Sequence, residues 1–124
     1  METTVFSIDN ANDLHTLSKF LRHIDTQRAM GKLVGAVELA IGAYQGEMEY
    51  SFIMLSVDYN KHVKDSGYVD NQECIMLVSS DIRQPVLLEK IATGERAKLG
   101  KLYVGKGNGD FTYKTSTGEY FHVK

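Results

Sequence analysis

The run Leu33-Val34-Gly35-Ala36-Val37-Glu38-Leu39-Ala40-Ile41-Gly42-Ala43-Tyr44, turned by Gln45-Gly46-Glu47 and answered by Met48-Glu49-Tyr50-Ser51-Phe52-Ile53-Met54-Leu55-Ser56-Val57, decides how this chain folds. In the first run the large apolar residues Leu33, Val37, Leu39 and Ile41 hold odd positions, the two-residue period of a strand. The even positions, Val34, Ala36, Glu38, Ala40, Gly42 and Tyr44, make a mostly small face with one carboxylate and one phenol. Such a face suits a ligand or a close neighbour. In the second run Glu49, Ser51, Ile53 and Leu55 alternate against Tyr50, Phe52 and Met54, so the two runs read as a β-hairpin with Tyr44 and Glu49 near one end.

Working outward, Thr3 to Ile8 is β-branched or aromatic and reads as a short strand. Asp9-Asn10-Ala11-Asn12-Asp13 then supplies a helix start. Leu14, Leu17, Leu21 and Ile24 recur at helical spacing beside Phe20, which predicts an amphipathic helix over Asn12 to Met30, stopped at Gly31. After the hairpin, Tyr59, His62, Val63 and Ser66 predict a second helix between Asp58 and Tyr68, with Asp58 as its cap. Cys74 to Val78 is almost wholly apolar, the pattern of a strand buried on both faces. Val86 to Ile91, Leu99 to Val104, Asp110 to Lys114 and Glu119 to Val123 read as further strands, with a tight turn at Asn108-Gly109. The order of strands and helices is the split βαβ arrangement. It predicts one α+β domain over residues 1–124: a ferredoxin-like split βαβ sandwich, with an antiparallel sheet and two helices on one face.

Composition bounds the function. At 124 residues, 43% hydrophobic and 24% charged, the chain can bury one core and is not a disordered segment. A formal charge of -2 leaves no basic excess for a nucleic-acid backbone or an anionic membrane. The Leu33 to Tyr44 run is too short and carries Glu38, whereas a spanning helix needs roughly 20 apolar residues. Cys74 stands alone, so no intramolecular disulfide forms, and the cytoplasm is the expected compartment. His15, His23, His62 and His122 lie apart and never in a ligand pair with Cys74, which gives zinc no support. Gly105, Gly107 and Gly109 lack the Lys-Ser or Lys-Thr pair of a phosphate loop. Neither a metal nor a cofactor is expected. The polar residues left as site candidates are Glu38, Tyr44, Glu47 and Glu49 on the hairpin, with Gln72, Ser80 and Gln84 about the apolar strand. On composition and spacing alone the reading that these residues favour is solvated turn and surface groups.

A resemblance separates these readings. Leu33-Val34-Gly35-Ala36-Val37-Glu38, Ile41-Gly42-Ala43-Tyr44-Gln45-Gly46, Glu49 and Gln72-Glu73-Cys74-Ile75-Met76-Leu77-Val78 together resemble the phage-encoded enzymes that degrade S-adenosylmethionine (SAM), the SAM lyases formerly called hydrolases. The likeness spans about half the chain. The adjacent glutamate pair associated with that family is split here into Glu47 and Glu49 by Met48, and aligning the apolar strand that follows favours Glu49. The resemblance implies a PII-like homotrimer with clefts between subunits and SAM as substrate. It implies Glu49 and Tyr44 as catalytic residues and Glu38, Gln72, Ser80 and Gln84 as substrate-binding ones. The implied reaction forms 5'-methylthioadenosine and L-homoserine lactone in the host cytoplasm, removing the methyl donor that restriction systems need. Alternatives are a hydrolase with a glutamate general base and a non-catalytic PII-like nucleotide-binding trimer.

Overall fold

Strand β1 (Glu2–Phe6) leads to helix α1 (Leu14–Ala29), whose start is fixed by Asp13: its carboxylate accepts from the Thr16 N–H at 3.3 Å and the Thr16 hydroxyl at 2.8 Å. A computed structural model describes residues 1–44, 46–107 and 110–124, with Tyr44 described by its main chain alone. The turn expected at Asn108-Gly109 and the Tyr44 phenol lie outside the described residues. On α1 the residues Leu17, Phe20 and Ile24 are buried, while Leu14 and Leu21 of the expected stripe are exposed, so the buried face is narrower than the helical period predicts.

The hairpin is β2 (Glu38–Tyr44) and β3 (Glu47–Leu55), with Leu39 opposite Phe52, Gly42 opposite Glu49 and Tyr44 opposite Glu47. The period predicts a strand from Leu33, yet residues 33–37 are irregular. The reason is Asp58, 1% exposed, whose carboxylate accepts from the main-chain N–H groups of Val34 at 2.9 Å and Gly35 at 3.0 Å. Those amides are therefore not offered to a neighbouring strand. Asp58 itself sits within the first turn of α2 (Ser56–His62), not at its cap as expected, and the helix ends short of Tyr68.

The remaining strands are β4 (Cys74–Ser79), β5 (Val86–Lys90), β6 (Arg96–Gly100), β7 (Leu102–Val104), β8 (Thr112–Thr115) and β9 (Tyr120–Val123). They form one sheet in the order β6-β5-β4-β1-β3-β2-β8-β9-β7, antiparallel at every pairing. Its two edge strands, β6 and β7, are consecutive in the chain, separated by Lys101, which pairs with Lys124 through N–H···O bonds of 3.2 and 3.0 Å. One continuous run therefore meets β5 on one side and β9 on the other, and the sheet curls into a nearly closed barrel.

This corrects the expected ferredoxin-like sandwich and the PII-like architecture that went with it. The C-terminal strands are not an appendage to a four-stranded layer. β8 adds to the free edge of β2, β9 follows it, and the run through Gly100 and Lys101 carries the chain across the seam. Two cores result, and adjacent residues divide between them as strand alternation demands. Phe6, Phe52, Ile75 and Leu77 pack outward against α1 and α2, while Val5, Met76, Tyr113 and Val123 pack within the curl. No helix among the described residues is long and apolar enough to cross a membrane.

Candidate functional site

At one end of the curl, where β3 and β4 begin and β1 ends, the strands leave a cleft of about 220 Å³. Glu49, Ser7, Ser51, Gln72, Cys74 and Phe111 line it, with Tyr113 and Met76 deeper in the barrel and Glu73 on the rim. The alternation that puts Ser51 and Ile53 inside the curl also turns Glu49 inward from β3, two rungs from the end of the hairpin. Gln72 approaches from the loop before β4, and its Nε2 donates to the Asp9 carboxylate at 2.9 Å. Asp9 also accepts from the Asn71 N–H at 3.0 Å, so the loop that carries Gln72 is tied to the end of β1.

Among the described residues no lysine, arginine or histidine lines this cleft, and Glu49 takes part in no ion pair. Burial is the main reason that its carboxyl is pushed above the ordinary glutamate range. Repulsion from Glu47 adds to the shift, and a hydrogen bond with Ser7 opposes it. The Ser7 hydroxyl donates to the Tyr50 carbonyl at 2.7 Å. Its single proton cannot serve Tyr50 and an ionised Glu49 together. The cleft thus holds a carboxylate that lacks a counter-charge and is only partly compensated by hydrogen bonds, beside aromatic and thiol side chains. Its chemical complement is a cation.

The structure brings Glu49 and Gln72 to one cleft, and it disperses the other sequence candidates. Glu38 shares the inward side of the hairpin but pairs with Ile53, four residues along β3 from Glu49, or roughly 13 Å at strand rise. Ser80 lies beyond the far end of β4, where its hydroxyl accepts from the N-terminal ammonium at 2.9 Å. Gln84 is exposed in the turn that follows, its N–H bonded to the Asp81 carbonyl at 3.0 Å. The small face of β2 has an internal explanation: Ala40 is 2% exposed opposite Ser51, and a Cβ on Gly42 would come within 2.4 Å of the Tyr113 ring. That face covers the barrel interior rather than a partner subunit.

Ser7, Cys74, Phe111 and Tyr113 escape the sequence reading. Cys74 reads there as a small core residue, and the structure sets it half-buried at the cleft. A signal existed for Ser7, the polar residue two positions beyond inward-facing Val5. For Phe111 and Tyr113 none existed, because only the pairing of β8 with β2 brings them near Glu49. Among the described residues, no group of three or more His, Cys, Asp and Glu side chains is arranged to hold a metal ion. No known protein family, curated protein or solved structure matches this chain.

Proposed function

We propose that this protein cleaves SAM into 5'-methylthioadenosine and L-homoserine lactone, acting in the cytoplasm of an infected cell to remove the methyl donor used by restriction and modification systems. The observation that carries the reading is Glu49, a half-buried carboxylate without a counter-charge at a cleft free of basic side chains. The resemblance of the hairpin and of Gln72 to Val78 to segments of the SAM lyases suggests the substrate class.

SAM carries its own leaving group and its own nucleophile. An oxygen of the substrate carboxylate attacks the carbon next to sulfur, and the C–S bond breaks with its electron pair going to sulfur. A neutral thioether leaves and a five-membered lactone closes. No water is consumed and no proton moves. The protein's task is to fold the methionine arm so that carboxylate, carbon and sulfur align, an orientation effect worth up to about 7–11 kcal/mol in intramolecular reactions. Glu49 anchors the α-ammonium and so aims the attached carboxylate, while Gln72, held by Asp9, offers an amide to the same end of the substrate. Tyr44 is assigned the sulfonium side on the resemblance alone.

The raised pKa of Glu49 favours one second reading, in which Glu49 takes a proton from water and the enzyme is a hydrolase. Heavy-oxygen water separates the two. With products trapped before the lactone opens, the lyase gives unlabelled homoserine lactone. Homoserine appearing first with label in its side-chain hydroxyl makes Glu49 the general base. Purified protein that yields no methylthioadenosine from SAM overturns both readings.

A further inference from the structure

The cleft has an aromatic wall that the reaction above leaves unused. Glu49 on β3 and Tyr113 on β8 both pair with Gly42, so carboxylate and ring flank a position that has no side chain. The Tyr113 ring fills the space over Gly42, where a Cβ would come within 2.4 Å of it, and so stands beside the strand that carries Glu49. Tyr113 is stacked on Phe121 at a centroid distance of 5.2 Å and a tilt of 14°, which fixes its ring. Phe111 lines the same cleft nearer the mouth, and its backbone is unusual: φ is +61°, the left-handed region that favours glycine. Its N–H donates to the Ala43 carbonyl at 2.7 Å, and its carbonyl accepts from the Val123 N–H at 3.2 Å. The chain thus holds a bulky aromatic residue in a conformation disfavoured for it, at the rim of a functional cleft.

We propose that Phe111, with Tyr113, is the aromatic wall of an onium site beside Glu49, whose carboxylate anchors the α-ammonium and adds its field at the nearby sulfonium, and that this pairing selects the sulfonium substrate over its neutral thioether product. The inference rests on reading the cleft as the SAM site. A sulfonium has no N–H or O–H to donate, so hydrogen-bond acceptors cannot recognise it by direction. A carboxylate and the negative face of a ring recognise its charge. Once the C–S bond breaks, sulfur is neutral and both attractions vanish, so the same site that gathers substrate releases methylthioadenosine.

The test is a pair of ligands without the attacking carboxylate: decarboxylated SAM and the same molecule lacking the S-methyl group and its charge. Calorimetry on the full-length protein is expected to give a preference for the sulfonium of about tenfold. Replacing Phe111 with mono-, di- and trifluorophenylalanine keeps its shape and drains charge from the ring face. The preference should then fall stepwise to about threefold or less, with affinity for the thioether unchanged. Equal affinity of the unmodified protein for the two ligands overturns the proposal, as does a fluorination effect that is equal for both or absent. Phe111→Leu, read the same way, should weaken only the sulfonium. SAM cleavage is assayed in parallel. A charge preference without cleavage removes the enzymatic reading and leaves the onium site, and cleavage without a charge preference does the reverse.

Discussion

Glu49 is where protonation and ligand binding meet. Its carboxyl is raised by burial and by Glu47, so between the unfolded and folded pKa values the folded chain holds more protons than the unfolded one. Stability therefore falls as pH rises through that window, and the loss persists at neutral pH. Glu49→Gln removes the penalty. Its Tm should exceed that of the parent at pH 7 and coincide with it near about pH 3, where the acid is neutral in both states. Equal Tm values at pH 7 would remove burial as the cause of the shift. The same substitution should lower SAM cleavage by about 10²-fold or more, because an amide neither pairs with an ammonium nor takes a proton. In the parent, kcat/KM should fall on acidification through a pKa above the ordinary glutamate value. Glu47→Gln should retain activity and move that acid limb to lower pH, since it removes the second cause of the shift. An unmoved limb would separate Glu47 from the site.

Elements were legible where one segment's own pattern decides them. The α1 helix, the hairpin alternation and the apolar β4 each follow from local period; the structure keeps the last two, and of the expected α1 stripe it buries Leu17, Phe20 and Ile24 but leaves Leu14 and Leu21 exposed. What fails does so through partners distant in sequence. Leu33 to Val37 has a strand's alternation, but Asp58 captures its amides, and no window of sequence joins those positions. The site divides in the same way. Glu49 and Gln72 lie at strand beginnings, where alternation and a turn point to them, whereas Ser80 and Gln84 lie a strand length away at the opposite end of the barrel. Gly42 illustrates the limit most sharply, because its smallness is visible in sequence and its reason is Tyr113 on β8. Gly42→Ala would bring a methyl within 2.4 Å of a ring already stacked on Phe121, so the ring cannot swing aside freely. A loss of about 1–3 kcal/mol is expected, as for other overpacked cores. In a cycle with Tyr113→Leu the double variant should cost less than the sum of the singles, and additive losses would place the Gly42 effect elsewhere.

At the scale of the whole molecule, the seam and the acidic cleft both point beyond one chain's local chemistry. The seam depends on Gly100, where φ is +155° and a Cβ would meet the Lys124 backbone at 2.7 Å. Gly100→Ala should therefore loosen the β6–β9 approach and cost about 1–3 kcal/mol, a Tm fall of roughly 4–12 °C by thermal melting. The cleft, at about 220 Å³, is smaller than the ~300 Å³ at which ligand pockets begin, so one chain covers only part of a molecule the size of SAM. On the outer face of β2 lies a second hollow of about 520 Å³, lined by Ile41, Met48 and Tyr120 with Lys106 and Lys114 against the single carboxylate of Asp110. Met48 is 68% exposed there and Ile41 38%. That basic, apolar hollow complements a cleft mouth carrying Glu47, Glu49 and Glu73. A contact of one surface with a different one on the next copy is heterologous and closes only as a ring. The proposed homotrimer fits such a ring, with each cleft roofed by its neighbour. Met48→Asp puts a carboxylate where the acidic mouth would dock. It should convert the trimer to monomer by light scattering and lower SAM cleavage in step, although residue 48 points away from its own chain's cleft. A parent protein that is monomeric at full activity would exclude the ring and leave the rest of the substrate to be held by this chain alone.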